Sequence, residues 1–271
     1  PSTELRPGDP NSPLIYGYSY PNKEIRYNVV PEFQKKFQPG RISIGLLHAN
    51  VGADTGHESY APCTVDDLSK VGIKYWALGH VHTRKEFKIP EGLAIYPGNT
   101  QGLHVNETGA RGVYLVKINE NGLIEQSFRP VDLVRWEQIE IGISKHDDSE
   151  SLESEIQASI ELALERADGR HLVYRLSLTG RGSLHSLINQ HEYTEALITR
   201  LNDDWSNQSP FAYCDRVTAP TRKEINRDDY SERDDFHGDL LWYFDEARSD
   251  SEIITDLRNR LKPLYRHPKL G

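Results

Sequence analysis

The chain has 271 residues, 37% of them apolar and 27% charged, with a formal net charge of −9; that excludes a disordered chain and allows one large or two medium domains with a proper core. No apolar run approaches a membrane span, the N-terminal residues lack a signal-peptide core, and two cysteines (Cys63 and Cys214) are too few for a disulfide framework, so a reducing cytoplasm and no membrane partner are expected. Residues 1–130 carry 14 Lys/Arg against 13 Asp/Glu and residues 131–271 carry 18 against 28; nucleic-acid phosphates should therefore meet the first half, or a partner subunit, rather than the acidic second half.

The chain starts on Pro1 and holds no methionine, which reads as a piece of a longer protein, replacement of methionines being the other explanation. In the first 40 residues, rich in Pro, Gly, Asn and Tyr, strand-like runs occur at Leu14 to Tyr18 and Ile25 to Val30. Arg41 to His48 predicts a buried strand and Gly52 to Pro62 a loop. Thr64 with Asp67 resembles a capping box opening a short helix that ends near Gly72. Strands follow at Lys74 to Leu78, Leu93 to Tyr96 and Gly112 to Ile118, and Asn121-Gly122 signals a hairpin into Leu123 to Phe128.

A second unit is expected from Val131. Val134 to Ile143 alternates as a half-exposed strand does, and Leu152, Ile156, Ile160, Ala163 and Ala167 mark one helix face. Leu172 to Leu178 predicts a strand, Glu192 to Leu201 a helix and Phe211 to Val217 a further strand. Asp239 to Ala247 and Glu252 to Leu261 predict two closing helices. The expected division is 1–130, an α/β capping domain over 131–220, and a helical segment over 221–271.

Gly79-His80-Val81-His82 follows the apolar run Trp76-Ala77-Leu78, and His48 ends the earlier run Ile42 to Leu47. A bare His-x-His is expected roughly 0.4 times by chance in such a composition, but only roughly 0.03 times with Gly in front, so the glycine makes the motif informative. Imidazoles at a strand end can be splayed onto metal ions, and His48 from a neighbouring strand can join them. Oxygen ligands are harder to find. The one Asp-x-His, Asp235-Phe236-His237, opens a charged helix with no strand before it and is not expected to bind metal. His57 lies in the loop after His48 and is a candidate for substrate contact, an ordinary surface role being the plain alternative. The turn Tyr96-Pro97-Gly98-Asn99-Thr100 offers backbone N–H groups and the side chains of Asn99 and Thr100 to a phosphate, or is simply a sharp bend. His104 is expected to be structural, and no residue is assigned a catalytic proton-transfer role.

The segments Ile44 to His48, Gly56 to Cys63, Tyr75 to His82 and Tyr96 to Gly102 resemble the bacterial DNA repair exonucleases of the calcineurin-like metallophosphoesterase superfamily, close to the SbcD-type nuclease subunit. Val131 to Glu137 and Leu261 to Leu270 look like that family's second domain and tail. The resemblance implies an α/β (α+β) fold: part of a two-sheet β-sandwich flanked by helices, then a small α/β capping domain and C-terminal helices. It also implies two Mn ions, with His48 and His80 on one and His82 on the other. The family's other ligands come from an upstream Asp-x-His, a Gly-Asp and a Gly-Asn-His-Asp segment. No Asp-x-His lies upstream of His48 and no Gly-Asn-His-Asp segment occurs here, so the chain is expected to correspond to a member without its first hundred or so residues.

The leading expectation is therefore a metal-dependent DNA exonuclease of DNA repair, with DNA and an SbcC-like coiled-coil ATPase as partners and homodimer formation left open. The alternatives are a general metallophosphoesterase acting on phosphoproteins or nucleotides, and a non-catalytic module that docks a repair partner.

Overall fold

A computed structural model of the chain describes residues 2–265, apart from 6, 8, 10, 23, 53–59, 91, 226–241, 243 and 249. His57, Asp235 and His237 lie outside the described residues. The architecture is mixed α/β, with several sheets flanked by helices.

Six strands build the first sheet in the order β1-β2-β3-β4-β6-β5: β1 (Ser2–Glu4), β2 (Leu14–Gly17), β3 (Ser43–His48), β4 (Tyr75–Gly79), β5 (Lys85–Ile89) and β6 (Gly92–Tyr96). The four inner strands run parallel, and β1 and β5 close the edges antiparallel. β3 and β4 read as near-continuous apolar runs, as inner parallel strands do, although Leu46 on the second face of β3 remains exposed. On one face lie two helices, α1 (Val30–Gln34) and α2 (Val65–Val71). Trp76, fully buried, meets Phe33 of α1 with ring centroids 5.1 Å apart. Ser43, Gly45 and Leu47 turn towards this core, and Ile44, Leu46 and His48 alternate onto the other face. The capping box exists as expected: Asp67 N–H donates to the Thr64 hydroxyl (3.0 Å), Thr64 N–H donates back to the Asp67 carboxylate (2.8 Å), and Gly72 ends α2 in the left-handed region.

Ile25 to Val30 is not a strand, despite its β-branched residues. Asn28 accepts the Val30 N–H at 2.9 Å and Pro31 begins α1; proline favours a helix first turn and cannot donate to a ladder. Strands β7 (Gly112–Ile118) and β8 (Ile124–Pro130) form the expected hairpin around Gly122, at φ +77°. Val113 and Tyr114 of β7 face Leu46, Tyr75 and Ala77 across a groove of about 800 Å³.

A second buried cluster lies between residues 139 and 214. Its sheet joins β9 (Val134–Gly142), β10 (His171–Gly182), β11 (Ala212–Thr218) and β12 (Thr221–Lys223), all parallel to β10. α3 (Ser149–Ala167) buries Leu152, Ile156, Ile160, Ala163 and Ala167, the spacing expected of one helical face. α4 (His185–Ile188) and α5 (His191–Trp205) follow, with Leu197 and Leu201 of α5 buried. Between the clusters, Gln101 accepts the Leu133 N–H and donates to the Val134 carbonyl, and Trp136 Nε1 donates to the Gly102 carbonyl. Asp132, buried here, pairs with Arg135 and Arg170, each at 3.0 Å. Residues 244–248 are helical, and α6 spans Ser251–Tyr265. No helix among the described residues is long and apolar enough to cross a membrane.

Candidate metal centre

Parallel pairing of β3 with β4 sets His48 opposite Gly79, so the ends of the two strands coincide. Gly79 has a steric reason to be glycine: a Cβ there would stand 2.9 Å from Nδ1 of His48. The His48 imidazole thus lies across the end of β4, where any other residue would displace it. The next residue, His80, is held at φ +96°, which side-chain-bearing residues rarely adopt. Such strain persists only where the surroundings over-determine it, and it collects at functional sites. Its effect is to break the alternation of the strand and bring the His80 ring beside His48, with centroids 5.1 Å apart at 72°.

Tyr60 walls the pair. It stacks on His80 (5.4 Å, 22°) and meets His48 edge-on at 5.6 Å. Tyr20 packs against Tyr60 and donates its hydroxyl to the His48 carbonyl at 2.5 Å; burial raises the pKa of that hydroxyl and keeps it a donor. Just beyond His48, Tyr96 donates to the Ala49 carbonyl and accepts the Val51 N–H, fixing the chain as it leaves β3. Burial lowers the pKa of His48, and the nearby charge of His82 lowers it further. A neutral imidazole is the form that binds a metal ion.

His82 points elsewhere. Its Nδ1 lies 2.7 Å from Oε1 of Glu107. The other Glu107 oxygen accepts from Asn99 Nδ2 at 2.9 Å and from the Leu103 N–H at 2.8 Å. Burial by itself would raise the pKa of Glu107; those donors, with His82, outweigh it and hold the carboxyl below its ordinary range. Arg111 completes the cluster, donating to Asn99 Oδ1 (3.0 Å) and to the His82 carbonyl (2.7 Å). Gly98, at φ +79°, lets this turn lie against the chain at His82, where a Cβ would come 2.6 Å from the His82 carbonyl oxygen.

Of the candidate site residues, then, His48 and His80 come together and His82 joins a neighbouring cluster whose charge reaches His48. Asn99 uses its side chain on Glu107 and Arg111, and Thr100 is exposed on the following bend. His104 lies on a bend, where its Nδ1 accepts the Asn106 N–H at 3.2 Å. Sequence reasoning missed Tyr60, Glu107 and Arg111. No local pattern marks them, since Glu107 reaches His82 across 25 residues of chain. Among the described residues, no group of three or more His, Cys, Asp or Glu is arranged to hold a metal ion. The imidazoles fit a borderline divalent cation as a partial set of nitrogen donors and do not close a shell.

Residues 136–222 match the family model described as the middle domain of metallophosphoesterase YhaO. The chain is 30% identical over 254 residues to the uncharacterized metallophosphoesterase YhaO of Bacillus subtilis, covering 94% of this chain and 59% of that protein. It is also 26% identical over 142 residues to the DNA double-strand break repair protein Mre11 of Methanocaldococcus jannaschii, covering 48% of this chain and 37% of that protein. The chain thus spans less than two thirds of either relative, and its similarity is to proteins of which the first is named a metallophosphoesterase.

Proposed function

We propose that this chain carries the histidine side of a divalent-metal phosphoesterase site, and that the protein hydrolyses DNA phosphodiesters in repair. The observation that carries the reading is the His48–His80 pair: two imidazoles delivered by adjacent parallel strand ends, one through a backbone conformation that residues with side chains rarely adopt. His48 and His80 would hold one ion and His82 would contribute to a second; Mn²⁺ is the proposed metal. When bound, such ions supply Lewis acidity towards a phosphate oxygen.

The chain's own groups have separable roles. His48, whose pKa is lowered by burial, presents a nitrogen lone pair. Tyr60 fixes the orientation of both rings and shields one side of the pair from water. Asn99, whose side chain braces Glu107 and Arg111, Thr100, exposed beside it, and His57, outside the described residues, are proposed as phosphate contacts at the rim. Similarity to a DNA double-strand break repair protein supports DNA over phosphoproteins or nucleotides as substrate. An SbcC-like coiled-coil ATPase is the proposed partner.

The test is a substrate panel in Mn²⁺ (linear duplex DNA, a phosphopeptide, a nucleotide monoester) with the protein that carries this chain. His82→Ala is expected to abolish DNA cleavage and leave the circular dichroism spectrum unchanged. Undiminished cleavage by that variant would overturn the assignment, and preference for the phosphopeptide or nucleotide would overturn the choice of substrate.

A further inference from the structure

We infer that Glu107 is a positioning residue for the metal site: it takes the Nδ1 proton of His82 in a hydrogen bond, fixing the ring's tautomer so that the lone pair lies on Nε2. The inference rests on the metal reading above and assigns how one of its donors is prepared.

An ionised carboxylate only accepts hydrogen bonds, so at the 2.7 Å contact the proton belongs to Nδ1 of His82. In neutral imidazole a proton on one nitrogen leaves the lone pair on the other. The burial of the two groups differs in the direction such a role requires. The Glu107 side chain is 17% exposed and the His82 side chain 60% exposed, so the carboxylate forms the fixed floor and the ring presents its far edge outward. The floor is itself braced. Asn99 and the Leu103 N–H occupy Oε2, and Arg111 ties Asn99 to the His82 carbonyl. Ring and backbone of His82 are thus both fixed by one closed loop of hydrogen bonds. Both Glu107 oxygens already serve protein donors, which makes Glu107 an orienting group and not a ligand. Metal-bound histidines commonly donate their second ring N–H to a carboxylate, and removing that partner typically costs about 10–100-fold in affinity.

A purely structural Glu107, joining the 99–111 turn to the end of β4, would leave the tautomer of His82 unaffected. Two-bond ¹H–¹⁵N correlation spectra of the metal-free, ¹⁵N-histidine-labelled chain, recorded at about pH 8 where imidazole is neutral, read the tautomer directly. In the unsubstituted chain His82 is expected to be protonated on Nδ1. In Glu107→Gln, a near-isosteric change, the ring should redistribute towards Nε2–H, and MnCl₂ affinity should fall about 10–100-fold. An Nε2–H tautomer in the unsubstituted chain would overturn the inference with no variant needed. So would a Glu107→Gln protein with the tautomer and Mn²⁺ affinity unchanged. No Mn²⁺ uptake by the unsubstituted protein that carries this chain would instead overturn the metal reading, and the tautomer, read without metal, keeps the two failures distinguishable.

Discussion

Replacing Gly79 with Ala puts a methyl group 2.9 Å from Nδ1 of His48, where ordinary contact needs at least 3.4 Å. The ring must therefore withdraw by roughly half an ångström, about the tolerance within which a binding constellation has to be held. The atom that yields is a side-chain nitrogen at an exposed strand end, so the fold should accommodate it: we expect a stability loss below about 1 kcal/mol. Metal binding should not be spared. Holding His48 near its original position now takes it off its rotamer, and a departure of about 30° costs about 0.5–1.5 kcal/mol, or about 2- to 13-fold in Mn²⁺ affinity. Isothermal titration with MnCl₂ and thermal unfolding, run on the same preparations, separate the two quantities. Unchanged affinity would refute the claim that the glycine exists to seat His48, and so would a collapse in stability with affinity preserved in the surviving fold.

Gly45→Ala is the contrasting case. Its Cβ would come 2.4 Å from Cε3 of the fully buried Trp76, so overpacking should cost about 1–3 kcal/mol, and an unchanged denaturation midpoint would show that the β3–β4 core had been misread. Asp132→Ala leaves Arg135, whose side chain is 8% exposed, without its carboxylate; breaking a buried pair from one side typically costs about 3–5 kcal/mol, and a loss under about 1 kcal/mol in urea unfolding would contradict that. Thr64→Ala should cost about 1 kcal/mol by removing the N-cap of α2. The same cap fixes an acid dependence. Hydrogen bonds from the Thr64 N–H and hydroxyl hold Asp67 below its ordinary 3.8, so its contribution is present above that value and disappears as pH falls through the lower folded-state pKa. Asp67→Asn should flatten that part of the stability profile, and an unaltered acid limb would count against the assignment.

Local chemistry was legible where one residue's choice answers to its immediate neighbours. The α3 stripe, the Thr64–Asp67 box and the apolar runs of β3 and β4 follow from periodicity and capping alone. Ile25 to Val30 has a strand's β-branched composition, but Pro31 sets a helix start there. Strand β5 went unread because Lys85-Glu86-Phe87-Lys88-Ile89 is mostly charged, as an edge strand can afford to be. At the site, the three histidines stood out by spacing. Their environment did not: Tyr60, Glu107 and Arg111 arrive through folds of the chain that no short window spans. The need for glycine at 79 arises from β3 lying alongside β4, a pairing no short window of sequence contains.

The central claim, that His48 and His80 together receive a divalent ion, is tested most directly by equilibrium dialysis of the purified protein that carries this chain against MnCl₂ with metal analysis. We predict saturable Mn²⁺ uptake that His48→Ala and His80→Ala each abolish while the thermal transition persists. Uptake unaffected by either substitution, or none by the unsubstituted protein, would contradict it.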